Sequence, residues 1–395
     1  MDVDTKCSND TSLPLCYEES SGLLAVIIIP SLLGLSTLLV VVLIFCNLHR
    51  NKLRGQETSS HLQTVTHGVS QTGTSVSTPK VQQVLCPWEI PEEFVLEGVE
   101  FWQTGRYGPI CKGLLKKRDG ATTAVVIKSL QDGPKYPEAK EFVERILFQA
   151  RVCKHENVVR MLFCQTQHLP MYLVLEAYSP GNLLHFLWTL RNTNSNTGNP
   201  LQHFSEKSVF LVAKQVAAGL DYLMSEHRLV HGDVAARNIL IGPGLSVRVS
   251  GLGVAFQGRE MDSAFRQRAA EVPLKWQAPE RIMMQLSIDR SDVWSFGILL
   301  YELVTLGCPP YPELEPLSVL PKIQASYRMR RPHNCGGSLY DLMKYCWMWS
   351  FKDRSSFSAI IKLLDSSLHL ADTKPIWVPE VLDICEYNRL AGLLS

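Results

Sequence analysis

Residues 23–46, LLAVIIIPSLLGLSTLLVVVLIFC, form an apolar run without a single charge. As an α-helix rising about 1.5 Å per residue, the run extends roughly 36 Å, enough to cross a hydrocarbon core with some tilt. A buried core helix has no need of such length without one charge, and this run lacks an amphipathic period. A cleaved secretion signal fits poorly, because Asp2, Asp4, Glu18 and Glu19 make the preceding stretch acidic and the run is too long. One membrane-spanning helix is therefore expected.

The flanks set its direction. His49, Arg50, Lys52 and Arg54 follow the run directly, whereas only Lys6 precedes it. The positive-inside rule puts residues 1–22 outside and everything after the span in the cytosol, with the plasma membrane as the default location. The outer segment is too short to fold around a ligand. It carries a sequon at Asn9-Asp10-Thr11 and two cysteines, Cys7 and Cys16, that an oxidising compartment could pair. The remaining cysteines show no CxxC spacing, which argues against a zinc site. A net charge of +1 gives no electrostatic footprint for nucleic acid.

Residues 47–92 read as a juxtamembrane linker, basic at first and then rich in Ser, Thr, Gln and Gly, a flexible spacer reaching about 30 Å. From 93 to 368 the chain is ordered in pattern. Strand signals come first (EFVLEGVEF, TTAVVIKSL, MYLVLEAY), and helical periodicity dominates later (SEKSVFLVAKQVAAGLDYLMSE, SDVWSFGILLYELVTLG). The expected class is α+β: a small β-rich lobe followed by a larger α-helical one, preceded by the transmembrane helix. Residues 369–395 are left as a C-terminal tail. Within that tail Tyr387-Asn388-Arg389-Leu390 has the shape of an endocytic signal, though four-residue patterns of this kind arise mostly by chance.

The segment HGDVAARN (231–238) resembles the protein-kinase catalytic loop in its tyrosine-kinase form. PLKWQAPE (273–280), SDVWSFGILLYELVTLGCPPYP (291–312) and CWMWSFKDRSSF (346–357) resemble later kinase segments, and Lys128 lies in VVIK. Five matches in the right order imply a bilobal protein-kinase fold and an ATP-dependent chemistry. On that resemblance Asp233 would orient or deprotonate a substrate hydroxyl, Arg237 would position the substrate, and Asn238 would hold a magnesium ion. Lys128 would pair with the nucleotide phosphates beneath a loop containing Gly105, Gly108 and Ile110. Leu175 would be the gatekeeper, and Glu176 to Tyr178 the hinge against adenine. Glu280–Arg354 would form a buried ion pair, and Asp292 would tie down the catalytic loop. The short outer segment, the single span and the catalytic-loop variant together resemble the family called novel oncogene with kinase domain, or serine/threonine/tyrosine kinase one. Its kinase portion is expected to lie close to receptors of the fibroblast-growth-factor-receptor type, and the resemblance implies proliferative signalling.

Four positions depart from a working kinase. Where the magnesium-binding Asp-Phe-Gly is expected, the chain reads Gly251-Leu252-Gly253. Loss of a metal clamp worth about 4 kcal/mol slows transfer roughly a thousandfold. The helix glutamate that should face Lys128 is Arg145, with Glu144 about 100° round the helix. Gln103 replaces the first loop glycine, and Pro109 removes an amide donor. The catalytic-loop arginine is Gly232, and the activation segment 254–276 contains no tyrosine, so both halves of a phosphotyrosine switch are missing.

Two classes of function fit. One is a pseudokinase that recognises other signalling proteins, kinases or adaptors, alone or as a homo- or hetero-dimer. The other is a weak protein-tyrosine kinase using Lys128, Asp233 and Asn238. ATP binding is compatible with both, and magnesium use only with the second.

Overall fold

The computed structural model describes residues 79–192, 204–257, 272–284, 288–378 and 382–393. All lie in the second of two units into which the chain divides, residues 1–74 and 75–395. The expected span at 23–46, the sequon and the Cys7/Cys16 pair fall outside the described residues. Among the described residues no helix is long and apolar enough to cross a membrane.

Helix α1 (Pro79–Leu85) leads into the first lobe, with Leu85 fully buried. Strands β1 (Phe94–Thr104), β2 (Pro109–Lys117) and β3 (Thr122–Ser129) follow, then helix α2 (Tyr136–Val152) and strands β4 (Met161–Gln165) and β5 (Tyr172–Glu176). The five strands form one antiparallel sheet in the order β1-β2-β3-β5-β4. The alternation in TTAVVIKS decides which way β3 faces. Val125 and Ile127 bury themselves with Leu115 and Val174 on one side. Lys128, one residue on, therefore emerges on the other side, paired in register with Ile110 and Leu173. In α2, Ala139, Phe142, Val143, Ile146 and Ala150 recur at helical spacing and are buried.

The second lobe opens with β6 (Gly181–Asn182), α3 (Leu183–Asn192) and α4 (Glu206–His227), the last capped by the Ser205 hydroxyl, which accepts from the Ser208 N–H. Strands β7 (Ile239–Ile241) and β8 (Val247–Val249) complete a small sheet with β6. Helices α5 (Gly253–Gln257), α6 (Pro279–Met284), α7 (Asp289–Val304), α8 (Val319–Gln324), α9 (Gly337–Cys346), α10 (Phe357–Ser367) and α11 (Ile384–Ala391) follow. Helix α7 is buried on every face from Ser291 to Val304, as its unbroken apolar pattern requires of a central core helix. A small sheet-rich lobe and a larger helical one are thus the observed architecture, in the expected order.

Both structural expectations for the second lobe hold. Arg354 meets Glu280 through two parallel bonds of 2.7 and 2.9 Å, both groups buried. Asp292 accepts the backbone N–H groups of His231 at 2.6 Å and Gly232 at 2.8 Å, fixing the start of the catalytic loop.

The C-terminal segment is more structured than a tail. Asp383 caps α11 by accepting from the Cys385 N–H at 2.8 Å, and Gly392 closes it in the left-handed region at φ 72°. Tyr387 and Ala391 are buried against the second lobe. The Tyr387 ring stacks edge-on to Trp188 at 4.9 Å, and Arg389 reaches Glu315 at 2.9 Å. The tyrosine of the Tyr-Asn-Arg-Leu pattern is therefore part of the core.

Candidate functional site

The site is built from two groups of residues. The first lines a cavity of about 170 Å³ in the first lobe. The loop between β1 and β2 supplies Gly105, Arg106, Tyr107 and Gly108, β2 supplies Ile110, β3 supplies Lys128, and α2 supplies Phe142, Arg145 and Gln149 at one-turn spacing. Helix α5 closes it with Gly253, Phe256 and Gln257. Of the expected nucleotide residues, Gly105, Gly108, Ile110 and Lys128 thus come together. Glu176 and Tyr178 do not line this cavity. Glu176 instead reaches Arg248 at 3.8 Å, and Tyr178 lies under the Arg248 guanidinium.

The helix position that should carry a glutamate carries Arg145, and the register places it at the cavity. Arg145 Nη1 donates to the Leu252 carbonyl at 2.6 Å, and its guanidinium lies 5.4 Å from the Phe148 ring and 5.1 Å from the Phe256 ring. It therefore clasps α5 from across the lobes. Lys128 is left facing a like charge. Burial, with Arg145 adding to it, pulls the Lys128 pKa down to about 8. Arg145 is itself lowered by burial to about 10 and stays protonated at neutral pH. Glu141, one turn before Arg145 on α2, is bonded to the glycine loop: Arg106 meets it at 3.0 Å, and the Tyr107 hydroxyl donates to it at 3.0 Å. That bond draws the glycine loop onto α2, and burial followed by Glu141 pushes the Tyr107 phenol up to about 12.

The second group is the catalytic loop. Asp233 accepts from Arg237 and, at 2.7 Å, from the Asn238 amide, which also donates to the Asp233 carbonyl at 2.8 Å. His231 Nδ1 accepts the Asp233 N–H at 3.1 Å, so Nε2 carries the ring proton and donates to the Ser250 carbonyl at 2.7 Å. Arg237 packs over the Trp276 ring at 4.7 Å. Behind it, Glu302 accepts the Ala236 N–H at 2.9 Å, and burial raises its carboxyl to about 7. Asp233, Arg237 and Asn238 are therefore one mutually bonded cluster.

The donors do not fit a divalent cation. Gly251 sits at φ 74°, and a Cβ built there lies 2.5 Å from the Asn238 Cγ and Oδ1 atoms. The missing carboxylate is thus a backbone choice as well as a residue choice, since the chain occupies a conformation that an L side chain strains to adopt. Among the described residues no group of three His, Cys, Asp or Glu gathers as metal ligands would. The cavity, by contrast, offers basic side chains of the kind that suit phosphate, bordered by the glycine loop.

Two features escaped sequence reasoning. Gly232 replaces the loop arginine, but Arg281 of α6 donates to the Gly232 carbonyl and, with Val254, occupies the space a Cβ at 232 would enter. Nothing local in PERIMM signals that contact, which joins residues 49 apart. The second is the Arg106–Glu141–Tyr107 cluster. The one-turn offset of Glu141 from Arg145 hinted that the acid on this helix face had moved back a turn.

Fold and site together define a tyrosine-kinase domain, and the chain belongs to the protein tyrosine and serine/threonine kinase family, whose profile matches residues 98–364. Among its relatives, Tyrosine-protein kinase STYK1 of Mus musculus is 36% identical over 346 residues, spanning 86% of this chain and 80% of that protein. The Homo sapiens Tyrosine-protein kinase STYK1 is 38% identical over 311 residues, spanning 78% and 73%. Fibroblast growth factor receptor 1 of Xenopus laevis is 30% identical over 296 residues, spanning 73% of this chain and 36% of the receptor.

Proposed function

We propose that this chain is a membrane-tethered pseudokinase, a signalling module that works by recognition rather than by phosphoryl transfer. The observation that carries the reading is at residue 251. The metal carboxylate is replaced by a glycine whose left-handed backbone turns its face to Asn238, leaving the phosphates without their usual cation bridge. Arg145 supports it, because Lys128 lacks the glutamate that orients it in working kinases and α5 is clasped into the space between the lobes.

In this reading residues 1–22 lie outside the cell, 23–46 span the plasma membrane, and 47–92 tether a cytoplasmic domain of 93–368. Asp233, Arg237 and Asn238 form the remnant of a substrate site. Gly105, Gly108, Ile110, Lys128, Glu176 and Tyr178 form a nucleotide site that takes ATP without turning it over. Other kinases or adaptors, or a second copy of the chain, are its partners, and the output is proliferative signalling.

A second reading, weak protein-tyrosine kinase activity, draws on the intact bonding of Asp233 to Arg237 and Asn238. The deciding measurement is phosphate transfer to tyrosine peptides by the purified full chain beside an Asp233→Asn control. The pseudokinase reading expects both to give the same background. Transfer that disappears in the control would establish the enzyme instead.

A further inference from the structure

The cavity between the glycine loop, β3, α2 and α5 has an unusual charge balance for a site descended from a metal-nucleotide pocket. Its lining includes Arg106, Lys128 and Arg145 but no aspartate or glutamate. Glu141 meets Arg106 at 3.0 Å and its charge also reaches Arg145, but the one carboxylate serves two arginines, and Lys128 has only Arg145 acting on it. Lys128 and Arg145 line the same partly open cavity, an arrangement that is costly for the protein alone and that a bound anion relieves. Both have donors to spare. An ammonium carries three N–H bonds, and Arg145 commits one guanidinium nitrogen to the Leu252 carbonyl out of five N–H donors.

The size is also informative. About 170 Å³ is below the roughly 300–1,000 Å³ of pockets that enclose whole small molecules. It suits a polyphosphate group, and the loop glycines Gly105 and Gly108 border it. A phosphate group drawing a divalent cation with it would bring two more positive charges against Lys128 and Arg145. No carboxylate at 251 or at 145 is there to offset them.

We infer that this cavity binds the polyphosphate of a nucleoside triphosphate in its metal-free form, with Arg145 supplying the positive charge that a divalent cation supplies in relatives. Arg145 is then a ligand-binding residue, and magnesium is a competitor for the ligand. The inference rests on the reading of this domain as a nucleotide-binding module, and it adds which ionic form is bound and by which residue.

The test is equilibrium binding of ATP to the purified full chain by calorimetry, in EDTA and in saturating magnesium, with adenosine and inorganic tripolyphosphate as further probes. Free ATP is expected to bind about tenfold more tightly than magnesium-ATP. Tripolyphosphate is expected to compete, and adenosine to bind at least about tenfold more weakly, the loss of one or two charge-assisted contacts. Arg145→Gln should weaken free ATP by about tenfold, and Arg145→Lys should restore most of that loss. Arg145→Glu should reverse the preference toward magnesium-ATP. Magnesium that strengthens ATP binding to the unmodified chain, adenosine that binds as tightly as ATP, or no ATP binding in EDTA would each overturn the inference. The comparison between EDTA and magnesium needs no variant, so a misfolded substitution does not decide it. Phosphate transfer in the peptide assay would sink the pseudokinase reading while leaving the metal preference to be settled by the binding arms.

Discussion

Replacing Arg145 by glutamine is the most informative single change, because Arg145 joins α2 to α5 while burdening Lys128. The substitution removes a charged donor bonded to the Leu252 carbonyl at 2.6 Å, a contact of about 1.5–3 kcal/mol. It also removes two cation–ring contacts at 5.4 and 5.1 Å, about 0.5–1 kcal/mol each at a half-buried position. Against these losses stands relief of Lys128. Its fall from 10.5 to about 8 corresponds to roughly 3 kcal/mol against the charged form, most of it from burial. Removing the like charge therefore returns about 1 kcal/mol at most. The low end of these ranges leaves about 2 kcal/mol against α5 in its docked position, or roughly thirtyfold in its opening equilibrium. Hydrogen exchange at pH 7 reads this directly: the amides of Gly253–Gln257 should exchange roughly thirtyfold faster, with β7 and β8 unchanged. The two proteins should also differ in pH dependence. A lysine whose folded pKa is lowered leaves the unfolded chain holding more protons between about 8 and 10.5, so stability rises with pH across that window. The rise should be smaller in the variant. Exchange at α5 within twofold of the parent would refute the clasp.

Further outcomes follow from particular contacts at four positions. Gly251→Asp should lower stability by about 1–3 kcal/mol in urea unfolding, since it places a Cβ against Asn238 at positive φ; unchanged stability would mean the segment re-forms freely. Tyr387→Phe should leave stability unchanged or raise it by up to about 1 kcal/mol, because the buried hydroxyl has no hydrogen-bond partner among the described residues. Tyr387→Ala should cost about 3–5 kcal/mol by opening a cavity beneath α11, and thermal melts of the two variants would separate these expectations. Arg354→Leu should destabilise by about 3–5 kcal/mol at pH 7 by stranding the buried Glu280 carboxylate, and a loss below 1 kcal/mol in chemical denaturation would contradict the buried pair. For Glu302 the sign is opposite to that of a salt-bridged acid. Its folded pKa lies above the unfolded 4.5, so the folded state binds the extra proton and stability falls as pH rises from about 4.5 to about 7. Glu302→Gln should flatten that fall by up to about 3 kcal/mol, measured as unfolding free energy at the two ends of the window.

The features legible in the sequence were those a residue carries wherever it sits. Lys128 was readable from VVIK in a strand-like stretch, and Glu280–Arg354 and Asp292 were readable from their motifs. The loss of acid at 251 and the arginine at 145 were legible for the same reason, since a missing charge needs no packing to be missing. What those absences did to the site was not. Nothing local to Gly251 says that its backbone would adopt φ 74° and close the space against Asn238. Glu176 and Tyr178, named from hinge position, are not among the residues lining the cavity that gathers Lys128 with the glycine loop, although their neighbour Leu175 is. An isolated tail pattern at Tyr387 gave no sign of its docking, because the partner Trp188 lies on α3, far away in sequence.

The sequence by itself determined a membrane-length apolar run with basic residues on one side, a kinase-ordered set of motifs, and the removal of the metal acid. Each is a property of composition or local period, fixed before the chain folds. Only the tertiary structure decided that Arg145 would spend its charge on a carbonyl 107 residues away, and that Arg281 would fill the space beside Gly232. It also decided that Tyr387 would become core. Those outcomes depend on which side chains packing brings within a few ångströms, where burial turns a modest charge into a strong one and an unclaimed donor into a binding site.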